Sequence, residues 1–559
     1  MKTLFPTTKA SALDYYKKNY DNKSKNNFLL NMRKNSFSAW EIETHSVVVV
    51  PSLSFSAREL QIVDCILSYE ERILFVLFAL SNPATHLFIL TSTDLDESVI
   101  RYYLSFLPKD QREDARRRVQ FYSLRDPSTD RCLAEKLLEH PTAIDCMRKH
   151  CIEANIASQG TLPSSMMIWR ATEYEERLSA ILDLPYYSAT HDQSWFGTKP
   201  GSRSVFKILN IPCADGTYEE ERDLDRLCES IWEVLRRNPN ARKGVVKLSD
   251  GFSGIGNVVL DLKMVQERLK LLVGHQQDFK LDSDRELCRL TKIAFQEATY
   301  HHRTWEDYRD ELAVMGAIFE LFIDIYDDDL DSDDKRYCTS PSVQGVIDEY
   351  GSVTICSTHE QLLDQQVYLG CEFPCNPEYR LRLMDYGKRI GDFLSSVGVR
   401  DHFGVDFLCV PKRNGTWEIW AVEINLRMTG TTPPWMSLKL LTHGNIDSRT
   451  GLFLTPAGKA KYYVSSDNIP AKMMKNLLYP SDLCRLMDAR PDLNWDSVKQ
   501  VGVILPMLSR VSKAGTLSMT VIADSIEDAR IMFNETRNYL THMASLMGIR
   551  RCEYVRVSN

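Results

Sequence analysis

Three short apolar runs, VVVVP (47–51), HLFILT (86–91) and VQFYSL (119–124), recur between stretches of helical spacing. Unbroken Val, Ile, Leu and Phe, rather than strict alternation, is the pattern of strands covered on both faces, so this region predicts an α/β sheet flanked by helices. Residues 1–45 are polar and predict a partly ordered extension, leaving 46–165 as a first domain. Turn-rich GTLPSS (160–165) predicts the boundary. A core follows over 166–465, with helices expected near 219–238 and 376–396. Beyond it VGVILPML (501–508), LSMTVIA (517–523) and a helix from Ser525 to about Leu546 predict a small α/β domain over 466–559.

The segment 404–425 carries the first candidate chemistry. GVDFLCV and WEIWAVEIN flank a turn containing Asn414-Gly415, the residue pair that supplies the positive φ values of a tight hairpin. With Val410 opposite Trp417, Asp406 opposes Ala421 and Glu423 lies one diagonal step on. Period-2 alternation then puts Asp406, Glu423 and Asn425 on one face beside Leu408, Val410, Trp417, Ile419 and Ala421. Two carboxylates on a mostly apolar face repel and lose hydration, which calls for a cation. Asp, Glu and the Asn carbonyl are hard oxygen ligands suited to Mg2+. Arg427 adds a fixed charge with bidentate reach. Taken alone, a solvated sheet edge is the alternative.

Upstream, GVVKL (244–248), SDGFSGIGN and VVLDL (258–262) read as strand, glycine-rich loop, strand. Gly251, Gly254 and Gly256 let backbone amides approach an anion. Because no helix follows, a Walker A loop and a dinucleotide fingerprint are excluded; a hairpin flap fits, with Lys247 entering it as a point charge for phosphate oxygens. In FGTKPGSRSVF (196–206), Lys199 and Arg203 occupy a loop leading into a short helix, and beside the other motifs Lys199 becomes a second phosphate-facing cation.

The order Lys199, Lys247 with its flap, Asp406, then Glu423-Ile-Asn425 resembles the ATP-grasp carboxylate–amine ligases. PSLSF (51–55), GTKPGSR (197–203), VVKLSDGFSGIGN (245–257), SPSVQG (340–345), STHEQLL (357–363), YLGCEFP (368–374) and VEINLRMTGTTPP (422–434) are similar to the pheganomycin-type peptide ligases. The resemblance implies a pre-ATP-grasp domain, a two-lobed ATP-grasp core and a small C-terminal domain. It also implies ATP-dependent joining of a carboxylate to an amine, peptides included, with the flap residues Gly251, Ser253, Gly254 and Gly256 over the nucleotide. Where relatives carry paired glutamates near the adenine hinge, this chain has AIFELFI (317–323), leaving Glu320 as the ribose or hinge carboxylate. An acidic insertion, YDDDLDSDDKRYCT (326–339), replaces a short turn; Ser332 and Cys338 stand where a calcium loop needs Gly and Glu. The family's Thr-His before the C-terminal lobe is here Thr432-Pro433.

Composition is compatible with this picture. The chain has 559 residues, 43% hydrophobic and 26% charged, enough for two to four domains. A net charge of −8 with no basic stripe argues against nucleic acid, and Arg112–Arg118 reads as a solvated helix face. Fourteen scattered cysteines without framework spacing suit the reducing cytoplasm, and Cys371 and Cys375 read as structural. The longest apolar run, Ile73–Leu80, is far short of the roughly 20 residues that cross a bilayer, so no membrane span is expected.

These charges suggest a mechanism. Mg2+ on Asp406, Glu423 and Asn425 bridges ATP phosphates, while Lys199, Lys247 and Arg427 neutralise charge as a substrate carboxylate becomes an acyl phosphate, which an amine then attacks. His359 or Glu360 is the candidate base for the amine, with Asp385 and Arg382 behind them. A nucleotide-binding regulator without turnover and a phosphotransferase that stops at the phosphorylated product are the alternatives.

Overall fold

A computed structural model describes residues 46–557, apart from 56–59, 62–64, 159–163, 187, 250–255, 275–279, 301–302, 324–337, 365–366 and 413. The expected N-terminal extension, most of the acidic insertion and the tip of the glycine flap lie outside the described residues.

The first domain is a parallel sheet in the order β3-β2-β1-β4, from β1 (Ser46–Val50), β2 (His86–Thr91), β3 (Val119–Ser123) and β4 (Ser164–Ile168). Successive valines of β1 enter different cores, Val47 and Val49 on one side and Val48 and Val50 on the other. That explains the unbroken apolar run. The expected boundary after residue 165 falls inside β4, whose Ser164–Ile168 pairs with Ser46–Val50. The helix Glu173–Leu182, started by a Thr172/Glu175 capping box, packs into the same core, which continues to Tyr186. The turn residues therefore precede the last strand of this sheet instead of closing the domain.

Next comes a small lobe. Helix α1 (Lys199–Ile208) leads into α2 (Leu224–Arg237) and a three-stranded antiparallel sheet ordered β6-β5-β7, from β5 (Lys243–Leu248), β6 (Asn257–Asp261) and β7 (Ala317–Leu321). Leu227, Ile231 and Leu235 on one face of α2 pack with Val246, Leu260 and Phe319 beneath the sheet.

The central sheet has ten strands: β8 (Ser340–Ile347), β9 (Val353–Asp364), β10 (Val367–Phe373), β11 (Asp401–Pro411), β12 (Trp417–Asn425), β13 (Asn445–Asp447), β14 (Leu452–Leu454), β15 (Ala460–Pro470), β16 (Gly502–Ile504) and β17 (Thr516–Ala523). The main path is β12-β11-β8-β9-β10-β15-β14-β13, and β17 links β15 to β16. Helix α3 (Pro377–Ser396) covers one face, where Leu383, Ile390 and Leu394 meet Val343, Phe403 and Val405.

β15 spans the expected 465/466 boundary and pairs with β17 across it. The C-terminal segment therefore extends the central sheet and is not a separate cap. Its Leu505, Val511 and Met519 share one core with Val47, Val49 and Leu77 of the first domain. The first domain and the C-terminal segment thus pack against each other in a shared core. Among the described residues no helix is long and apolar enough to cross a membrane, and the cysteines whose side chains are described are free thiols, Cys371 and Cys375 buried.

Candidate active site

The expected hairpin is present, with a different register. Pro411 opposes Trp417, Cys409 opposes Ile419 and Phe407 opposes Ala421, after which the pairing slips and Asp406 faces Glu423. Val422 is the extra residue of a β-bulge. The assumed alternation fails because of it: Trp417, Ile419 and Ala421 point into the α3 core with Phe407 and Cys409, on the face opposite Asp406. The bulge shifts the phase of β12 by one residue, so Glu423 and Asn425 emerge on the side of Asp406 while Ile424 turns to the core. The three oxygen-bearing side chains therefore converge, though for a reason that plain period-2 counting does not contain.

They line a cavity of about 820 Å³ whose walls come from the first domain, the small lobe and the central sheet. Asn425 Nδ2 donates to Asp406 Oδ2 at 3.0 Å and approaches Glu423 Oε1 at 3.5 Å. Gln361 Nε2 donates to Asp406 Oδ1 at 2.6 Å. Lys199 Nζ lies 2.6 Å from Glu423 Oε2. Burial and the nearby Glu423 charge push the Asp406 carboxyl up. Burial opposes ionisation of Glu423 too, but Lys199, with Arg427 behind it, holds Glu423 below its ordinary value. One carboxylate is thus compensated by a cation, while the other is pushed toward its neutral form.

Lys199 is placed by the start of α1. Thr198 caps the helix by accepting from Gly201 N, Lys199 N donates to Ser249 O at 3.1 Å, and Ser202 Oγ accepts from Ile424 N at 2.9 Å. A Cβ on Gly201 would fall 1.9 Å from the Trp195 carbonyl oxygen, so this close approach requires glycine.

On the opposite wall Lys247 and Glu320, diagonal neighbours on β5 and β7, meet at 2.5 Å. Arg203 Nη1 reaches the other Glu320 oxygen at 3.0 Å while its Nε donates to Thr217 O. Burial disfavours the Glu320 charge, but Lys247 and Arg203 outweigh it and hold the carboxyl below its usual range. Both Glu320 oxygens are engaged by protein cations here, a structural use that the hinge expectation did not contain. Leu321, Phe322 and Ile323, which follow it, line the cavity with Val245 and Leu408.

His359 is not brought to the cavity wall. It is 0% exposed, its Nε2 shares a hydrogen bond of 2.5 Å with the Tyr463 hydroxyl, and its ring packs against Phe373. Burial lowers its pKa to about 3, so the ring is a neutral core group and the expected base role has no geometric support. Glu360 lines the cavity but accepts from the Tyr379 hydroxyl at 2.5 Å. Arg382 donates to Trp417 O, and neither it nor Asp385 lines the cavity. Sequence reasoning missed Gln361, two residues past His359 on the same strand face, and gave Arg203 no role. The tips of the flap, Gly251, Ser253 and Gly254, lie outside the described residues; Gly256 O accepts from Leu248 N and the Tyr308 hydroxyl.

Residues 192–449, which hold Lys199, Lys247, Glu320, Asp406, Glu423, Asn425 and Arg427, match the family model described as IQCH-like, ATP-grasp. The chain is also 26% identical over 487 residues to the L-propargylglycine–L-glutamate ligase of Streptantibioticus cattleyicolor, covering 86% of this chain and 91% of that protein. Residues 192–449 thus carry the likeness to an ATP-grasp domain, and most of the chain the likeness to a ligase. Among solved structures, the chain is similar to an ADP complex of N5-carboxyaminoimidazole ribonucleotide synthetase, with a TM-score of 0.47 and 12% identity, covering 89% of this chain and 97% of that one. A nucleotide complex of Campylobacter jejuni biotin carboxylase gives a TM-score of 0.49 at 10% identity, covering 90% and 96%.

Proposed function

We propose that this chain is an ATP-grasp ligase that joins a substrate carboxylate to the amine of an amino acid or peptide through an acyl phosphate, with Mg2+ and ATP bound between the small lobe and the central sheet. The observation that carries the reading is the convergence of Asp406, Glu423 and Asn425 beside Lys199 in one cavity, opposite Lys247.

The donor set fits Mg2+. Two carboxylates face each other across adjacent strands, one pushed toward its neutral form by burial and by the other's charge, and an amide lies beside both. Asn425 now presents its Nδ2 to the carboxylates, so holding an ion calls for the amide to turn its oxygen inward. The bound ion would supply charge neutralisation on the phosphate oxygens during transfer.

The chain's own residues do the rest. A cation held by Glu423 would free Lys199 for phosphate oxygens, and Lys247, positioned by Glu320 and Arg203, would serve them from the small lobe. Arg427, within electrostatic reach of Asp406 and Glu423, is suited to the substrate carboxylate as charge moves onto the transferring group. Leu321 to Ile323 and Leu408 provide the apolar slot for a base. Water must be kept from the activated acid, a role that we assign to the β5–β6 hairpin, whose Val245, Lys247 and Asn257 line the cavity.

The test is ADP release from wild type and Glu423→Gln against pooled small acids and amino acids. ADP formed only when an acid and an amine are both present, and abolished in a folded Glu423→Gln protein, agrees with the reading. Unchanged turnover in the variant removes the metal assignment, and a stable phospho-product without amine consumption selects a phosphotransferase instead.

A further inference from the structure

The cavity continues past the carboxylates to a wall that the proposed nucleotide and metal positions do not use. Its centre is Arg72, from the 3₁₀ segment Ile66–Ser81, paired with Asp467 of β15. Both side chains are mostly buried, 15% and 13% exposed. Asp467 and Asn468 together oppose the single Ser518 in the β15–β17 ladder, a second bulge that places both residues on the cavity wall. The Arg72 guanidinium sits 5.3 Å from the centre of the Trp169 ring and 5.5 Å from that of Tyr69, so its orientation is fixed by stacking.

Two further guanidiniums act on Arg72. Arg510 lies 3.9 Å from the centre of the Tyr69 ring, and both it and Arg427 repel Arg72, whose burial already disfavours its charge. Asp467 is the carboxylate paired with Arg72, and its Oδ1 is buried without a hydrogen-bond partner among the described residues. A planar guanidinium set among aromatic rings and repelled by two cationic neighbours suits a carboxylate bidentately. Arg427 acts electrostatically on Arg72 and on Asp406 and Glu423 alike, so this wall adjoins the place where the acid is activated.

Resting on the ligase reading above, we propose that Arg72 anchors the non-reacting carboxylate of the amine substrate, selecting α-amino acids or peptides with a free carboxylate over simple amines. The first domain then contributes acceptor specificity, and Tyr69, Trp169 and Tyr368 give the acceptor side chain an aromatic enclosure. Leaving the anchor at one end directs the amine toward the acyl phosphate at the other.

The experiment measures thermal stabilisation of the full chain, with a non-hydrolysable ATP analogue and Mg2+ present, by a pool of L-amino acids and by the pool of their carboxamides. Wild type should be stabilised by the acids and not by the carboxamides. Arg72→Gln should weaken amino-acid binding by at least about tenfold, the worth of one charge-assisted contact, with ATP-analogue binding unchanged. Asp467→Asn separates an anchor from a purely structural pair: it leaves Arg72 charged and less paired, so carboxylate binding should be kept or tightened. Equal stabilisation by carboxamides, no stabilisation by amino acids, or equal losses in the two variants overturns the proposal. ADP release from wild type with an acid–amine pair decides the ligase reading separately, whichever way the binding falls.

Discussion

Replacing Glu320 by Gln separates two uses of one carboxylate. Its two oxygens hold Lys247 at 2.5 Å and Arg203 at 3.0 Å, all three groups being less than 10% exposed. At an effective dielectric of about 20, each contact is worth about 5 kcal/mol of attraction, most of which offsets desolvation. Neutralising Glu320 leaves two buried cations facing each other, and loss of one partner from such a group costs about 3–5 kcal/mol. Urea unfolding followed by the fluorescence of Trp232 and Trp305, both packed in the small-lobe core, should therefore show the lobe unfolding about 1–3 M earlier for a slope of about 1.5–3 kcal/mol/M. ATP affinity should fall as well, because Lys247 loses the partner that aims it. A variant that unfolds like wild type yet binds ATP more weakly would refute the reasoning and return Glu320 to direct contact with the nucleotide.

Three further outcomes follow from particular residues. His359→Gln should lower stability while leaving the pH profile of kcat in place; a loss of about 10²-fold or more in kcat with a missing acid limb would restore the base role. Burial lowers the pKa of His150 to about 4 and of His359 and His402 to about 3, below the unfolded value. Their contribution is complete above about pH 6.5 and is lost as pH falls toward 3, each adding at most about 1.4 kcal/mol per pH unit to the slope; denaturation midpoints that stay flat between pH 6.5 and 4.5 would contradict it. Gly201→Ala, whose Cβ would meet the Trp195 carbonyl, should destabilise the start of α1 and weaken ATP binding through Lys199, read by calorimetry.

Much of this was legible in the sequence. The parallel sheet could be read because burial on both faces leaves unbroken apolar runs, and the hairpin because Asn414-Gly415 interrupts two β-rich segments. The convergence of Asp406, Glu423 and Asn425 was expected, but the register was not, since a single extra residue at Val422 inverts the face of everything before it. The 165/166 boundary misplaced β4 because turn chemistry marks where a strand begins as readily as where a domain ends. The C-terminal strands joined the central sheet through a pairing between residues far apart in the chain, which no local pattern encodes. His359 looked reactive by residue type, and only its packing under Phe373 and Tyr463 shows a core histidine. Arg72 and Asp467, 395 residues apart, carry no motif at all.

The most direct test of the central claim uses an acid substrate labelled with ¹⁸O in its carboxylate, followed through one round of ligation by mass spectrometry. An acyl phosphate formed beside Asp406 and Glu423 passes one labelled oxygen per turnover to inorganic phosphate, alongside ADP and a product lighter by one water than its two precursors. Unlabelled phosphate accompanying the same product, or AMP and pyrophosphate in place of ADP, would contradict the account.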